Sequence, residues 1–128
     1  MSLLLQKLSG IAVAGAAGAL ARYALAGAVQ RGLGSAFPWG TAVVNVLGCL
    51  LFGVVWSVAA ERWPISSEMR TILLVGFMGS FTTFSTFASE TGRLMADSEW
   101  LLGMGNIVLQ VTVGIGAVFL GLAIGRAL

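Results

Sequence analysis

Residues 100–125 run for 26 positions without one charged side chain, and residues 39–60 and 71–89 do so for 22 and 19 positions. A helix needs about 20 apolar residues to cross the hydrocarbon core of a bilayer, so each window is long enough to span it. Residues 8–30 make a fourth stretch, interrupted by one charge, Arg22. These runs are too long for membrane-barrel strands and lack their in–out alternation. Composition agrees, because charged residues are 9% of the chain against about 25% in a soluble domain. Seven basic and five acidic residues cannot coat a soluble surface. Eighteen glycines suit membrane helices, where they let backbones approach. A soluble enzyme and a disordered chain are both excluded. The expectation is an all-α membrane protein: four transmembrane helices in a single membrane domain over residues 1–128, with spans near 8–30, 38–60, 70–92 and 100–126.

The same arithmetic closes other routes. With no His and one Cys, Cys49, the chain has neither a zinc ligand set nor an internal disulfide. A net charge of +2 is too thin for a nucleic-acid footprint. Lys7 before an apolar run has the outline of a signal peptide, but the basic region is one residue long and the apolar character continues past any cleavage point, which reads as a span. Residues 30–38 contain Gly32, Gly34, Ser35 and Pro38, loop chemistry ending before a helix start. Ser66, Ser67 and Glu68 form an N-cap region after Pro64. Trp39, Trp63 and Trp100 fall at span ends, where interfacial anchors sit. Lys7, Arg62, Arg70 and Arg126 lie on one side of the membrane, Arg31 and Arg93 on the other. So weak a positive-inside bias permits insertion both ways and head-to-tail pairing.

Polar groups in hydrocarbon are costly and are functional candidates by default. The third span holds the densest set: seven of the eleven residues 79–89 are Gly, Ser or Thr, interleaved with Phe. Low helix propensity and hydroxyls that compete for backbone partners predict a break near residues 79–83. Unwound backbone at membrane depth persists where it is buried in protein or lines a cavity, and its carbonyls can coordinate a cation. A continuous small-residue packing seam is the plainer alternative. Phe81, Phe84 and Phe87, spaced by three, drift slowly around one side of a helix. Their positive ring edges beside hydroxyl donors make a weakly electropositive path for a small anion, which multiple weak sites would pass. Thr41 and Asn45 share a face of the second span, continued by Gly48; Asn106 and Gln110 do likewise in the fourth, with Thr112 on a neighbouring face. Arg22 and Glu90, the intramembrane charges, can pair or snorkel to an interface. Gly10, Ala14 and Gly18, and Gly121 with Gly125, form small-residue faces for close helix packing.

These residues resemble the Fluc (CrcB) fluoride channels of microbes. The resemblance covers the whole chain and rests on residues 18–23 (Gly-Ala-Leu-Ala-Arg-Tyr), on Pro38-Trp39-Gly40-Thr41 with Val44, Asn45 and Gly48, and above all on residues 79–87 with Glu90. It implies an antiparallel, dual-topology homodimer in the bacterial inner membrane, with two fluoride pores along the subunit interface. It implies a pore edged by Phe84 and Phe87, with Asn45 as a donor to the passing anion and with Thr41, Thr83 and Ser85 as polar lining. Arg22, Asn106, Gln110, Thr112 and Glu90 are further pore or vestibule candidates. It also implies a structural, non-transported sodium ion at the dimer centre, held by the backbone carbonyls of Gly79 and Thr82. Ser80 departs from the family's frequent second glycine. The implied activity is passive export of cytoplasmic fluoride, lowering its toxicity, and no enzymatic chemistry. A small dual-topology proton-coupled multidrug exporter is the main alternative, but its chemistry needs a buried carboxylate, and the first span carries Arg22 and no acid. A non-transporting assembly subunit is a further one.

Overall fold

The computed structural model describes residues 2–128, and among these there are helices and no strands. Four helical spans are long and apolar enough to cross a membrane. Helix α1 is Leu3–Leu33, capped by the Ser2 hydroxyl, which accepts from the Leu5 amide at 3.3 Å. Helix α2 is Trp39–Arg62. The third span, Ser67–Ala96, comprises α3 (residues 67–81) and α4 (Phe84–Ala96). Helix α5 is Trp100–Ala127. Ser66 caps α3, accepting from the Met69 amide at 3.1 Å.

Short connections make sequential spans run in opposite directions. Between α1 and α2 the chain turns at Gly34, whose φ of +89° is the left-handed region that glycine tolerates without penalty. Gln30 ties this corner together. Its Nε2 donates to the Gly34 and Phe37 carbonyls, and its Oε1 accepts from the Gly40 amide at 3.0 Å.

Glycines set the depth at which the spans meet. A Cβ at Gly53 of α2 would land on the Val118 carbonyl of α5, and one at Gly121 on the Leu50 carbonyl of α2. The two backbones are in contact there, the membrane arrangement in which small residues permit dispersion contacts that larger ones would block. The face carrying Gly10, Ala14 and Gly18 lies against α3, with Gly18 under the Phe77 carbonyl. The largest fully buried side chains are Val44, Ser57 and Asn106, so the centre of this subunit holds two polar groups.

Between α3 and α4, Thr82 (φ −94°, ψ 158°) and Thr83 (φ −149°, ψ 113°) are extended. Their amide bookkeeping explains why the helical ladder stops. The Thr83 N–H, which a continuous helix would direct to the Gly79 carbonyl, donates to Asn45 Oδ1 at 2.8 Å. The Thr86 N–H, which would go to the Thr82 carbonyl, donates to Thr83 Oγ1 at 3.2 Å as the cap of α4. A side chain of the second span and a local hydroxyl have replaced two rungs.

The interruption also resets the helical phase. Phe81 is buried and stacks on Phe77 at 5.8 Å, while Phe84 is 78% exposed and Phe87 is buried. The drifting stripe expected of all three rings is therefore not formed. A spacing of three places side chains on one face only while the helix continues, and here that holds for Phe84 and Phe87, whose ring centroids are 5.5 Å apart.

Candidate functional site

A recess of about 300 Å³ opens between α1, α2 and α4, lined by Arg22, Thr41, Thr83, Thr86 and Glu90 among others. Thr41 donates to Glu90 Oε1 at 2.9 Å, and the other carboxylate oxygen is buried without a partner among the described residues. Arg22 does not pair with Glu90; its Nε donates to the Ser80 carbonyl at 3.0 Å. Glu90 and Gln30 also line a second recess of about 360 Å³ that reaches Arg93 and Asp97. Glu90 thus stands between a polar interior and the membrane-surface end of α4.

Deeper, an amide chain crosses three spans. Thr91 donates to the Phe87 carbonyl at 2.8 Å and accepts from Asn106 Nδ2 at 2.9 Å. Asn106 Oδ1 accepts from Gln110 Nε2 at 2.8 Å. Gln110 Oε1 accepts from Asn45 Nδ2 at 2.8 Å, and the same Nδ2 donates to the Thr83 carbonyl at 3.0 Å. Asn45 Oδ1 then takes the Thr83 amide, so Asn45 brackets the backbone of Thr83 from both sides. Asn106 and Gln110 lie four apart on α5 and can join end to end in this way.

Of the other sequence candidates, Phe84 and Ser85 lie exposed beside Thr83, with Ser85 Oγ 3.4 Å from Thr83 Oγ1. Thr112 is exposed and donates to the Val108 carbonyl of its own helix, so it does not join the network. Gly79 and Thr82 line a smaller recess of about 160 Å³ with Gly48 and Met78. Three residues of the site were absent from the sequence candidates. Gln30 and Thr86 line the recess and Thr91 ends the amide chain. Thr86 stood inside the Gly/Ser/Thr cluster, whereas Thr91 lies just beyond it, next to Glu90, and carried no signal of its own in the sequence.

The comparisons decide the family. A family model described as CrcB-like protein, Camphor Resistance (CrcB), matches residues 9–122. The chain belongs to the CrcB-like family. It is 56% identical over 123 residues, 96% of this chain and 98% of the relative, to a protein named fluoride-specific ion channel FluC from Solidesulfovibrio magneticus. Proteins of the same name from Nitrosococcus oceani and Desulforapulum autotrophicum are 55% and 53% identical, over 94% and 91% of this chain and 97% and 93% of their own lengths. The CrcB family is thus one of multi-pass membrane ion channels and not of enzymes, and the four spans of this chain accord with it.

Proposed function

We propose that this protein is a fluoride-specific channel that passively exports cytoplasmic fluoride across the bacterial inner membrane. The observation that carries the reading is the near-full-length identity with relatives bearing that name. Fluoride enters a cell as HF, dissociates in the less acidic interior and is trapped as the anion. An interior-negative potential drives the anion out with about 2.3 kcal/mol per 100 mV once a selective path exists. In the recess and amide chain described above, Thr86 and Gln110 offer neutral hydrogen-bond donors. Neutral donors replace a hydration shell without binding the ion too tightly to release it.

The working unit in this reading is an antiparallel homodimer with two pores, each edged by Phe84 and Phe87. One subunit has a surface of 7665 Å² at a mass of 13.2 kDa, whereas a compact soluble chain of that mass exposes about 6400 Å². The excess is apolar and includes Tyr23 and Phe84, 82% and 78% exposed beside the polar recess. Lipid or a second copy must cover these rings, and a second copy would convert the open recess into a closed path.

A structural sodium ion at the dimer centre is part of the same proposal. The Gly79 and Thr82 carbonyls have lost the amides that would occupy them in a helix, because those amides go to Asn45 and to Thr83 Oγ1. Neutral, hard carbonyl oxygens of this kind suit sodium. The ion's contribution would be to hold two copies together, not to move with fluoride.

The test is fluoride efflux from liposomes containing the purified protein, followed with a fluoride electrode in sodium buffer, with a potassium ionophore shunting charge. Rapid efflux without chloride leak is the expected result. A folded dimer that releases no fluoride would refute the reading.

A further inference from the structure

We propose that Gln30 is a positioning residue for anion entry: its side-chain amide draws two main-chain carbonyls of the α1–α2 corner out of the passage to the polar recess, and binds no ion itself. This deepens the channel reading above and rests on it. Gln30 of α1 and Glu90 of α4 are the two residues that line both the inner recess of about 300 Å³ and the outer one of about 360 Å³. They therefore flank the neck where one recess meets the other. Outside the neck, Ser35, Ala36, Phe37 and Pro38 of the corner form one wall of the outer recess, and Arg93 and Asp97 stand on the other.

The amide of Gln30 is fully spent on the corner. Its two N–H groups go to the Gly34 and Phe37 carbonyls, and its Oε1 accepts the Gly40 amide. A primary amide has no third hydrogen, so Gln30 faces the neck with no donor for an anion. What it supplies is the direction of the corner's carbonyls. Gly34 follows the last residue of α1, and among the described residues Gln30 is the one donor to its carbonyl. The Phe37 carbonyl has one other, the Trp39 amide at 2.9 Å. Charge in the outer recess already opposes an anion, because Glu90 and Asp97 line it against a single guanidinium, that of Arg93. Carbonyl oxygens carry partial negative charge. Released by Gln30 and turned into this space, they would deepen the negative potential where fluoride must enter, and a cleft focuses such a field. Bound to Gln30, they stay out of it.

The experiment reads the sign of charge admitted past the neck and does not depend on efflux. Ala26→Cys, which lines the inner recess and not the outer, is placed in a Cys49→Ala background that has no other thiol. The dimer in lipid nanodiscs is labelled at low ionic strength, where charge is least screened, with an anionic and a cationic methanethiosulfonate of similar size. Gln30→Met, close in length but without a donor, should lower the anionic-to-cationic rate ratio about tenfold and leave the cationic rate no slower. General loosening of the corner would change both rates alike; an unchanged ratio would overturn the proposal. A second measurement leaves Gln30 in place. The chain has three glutamines, so Gln6→Glu and Gln110→Met assign the side-chain amide resonances of Gln30 by elimination in the 15N-labelled dimer. These should not move when sodium fluoride is added, and a fluoride-dependent shift would make Gln30 a ligand and overturn its positioning role. In liposomes, Gln30→Met should slow fluoride efflux most at low fluoride and leave the preference for fluoride over chloride intact; a changed preference would also overturn the proposal. Absence of efflux from the wild-type dimer would instead overturn the channel reading, while the labelling ratio would still report on the neck.

Discussion

Replacing Asn45 by Asp tests whether the amide chain behaves as one unit. The carboxylate keeps the acceptor for the Thr83 amide but has no hydrogens for the Thr83 carbonyl or for Gln110 Oε1, both now facing it at 2.8–3.0 Å. The clash with Gln110 is relieved if its amide turns over, which then forces Asn106 to turn and Thr91 to donate to Asn106 in place of the Phe87 carbonyl. Two hydrogen bonds are lost in total, one at Thr83 and one at Phe87. Hydrogen bonds between membrane helices contribute about 0.6 kcal/mol on average and up to about 1.7, so the two lost bonds account for roughly 1–3 kcal/mol of the cost of Asn45→Asp, to which burial of the carboxylate adds. The more telling quantity is its coupling to Thr91→Val. With Thr91 gone, reversal no longer sacrifices the Phe87 bond, so the aspartate variant should cost less by about one hydrogen bond, near 1 kcal/mol. Asn45 and Thr91 share no direct bond, and sites without shared partners usually add to within about 0.5 kcal/mol. The assay is a double-mutant cycle on reversible unfolding in mixed micelles, followed through the four tryptophans. Additivity within about 0.5 kcal/mol would refute the concerted chain.

Gly53→Leu should abolish the folded protein, because even a Cβ there meets the Val118 carbonyl of α5; recovery of a well-folded dimer by size-exclusion chromatography would show that the two backbones do not touch. Phe87→Ala empties a buried site and should destabilise by about 3–5 kcal/mol. Phe84→Ile, at an exposed ring, should leave unfolding of the isolated subunit within about 0.5 kcal/mol yet reduce fluoride efflux; full activity would remove Phe84 from the pore edge. Exchanging sodium for N-methylglucamine should lower the dimer's dissociation midpoint, and an unchanged midpoint with intact efflux would remove the proposed structural ion.

The spans were legible because hydrocarbon length and charge exclusion act on single windows of sequence. Their ends were less so: α1 extends to Leu3 and Leu33 because a helix continues into the interface wherever a cap and polar side chains allow, beyond the apolar window. The Gly/Ser/Thr cluster in the third span was visible as composition, yet its consequence for the phenylalanines was not. Phe81 and Phe84 part company because two extended residues intervene, and a spacing rule presumes the helix it is applied to. The partners of Asn45 were out of reach for a different reason. Whether Gln110 or another α5 residue meets it depends on the depth at which α2 and α5 cross, and that is set by Gly53 and Gly121, roughly two to three turns away.

The same bonds therefore serve the fold and the proposed conduction path, and this limits what a simple loss of activity can mean. Asn45 stabilises the extended backbone at Thr83 through two bonds and orients Gln110 through a third. A substitution there disturbs the interruption of the third span, the α2–α5 contact and the donor geometry together. Gln110 touches no backbone group in this network, so its replacement leaves Thr83 bracketed and Thr82 extended. A fluoride defect at Gln110 with unchanged thermal stability would thus isolate anion recognition, whereas the same defect at Asn45 would report the scaffold as much as the ion. The two positions should be read in that order: Gln110 first for selectivity between anions, Asn45 afterwards for the structure that holds it.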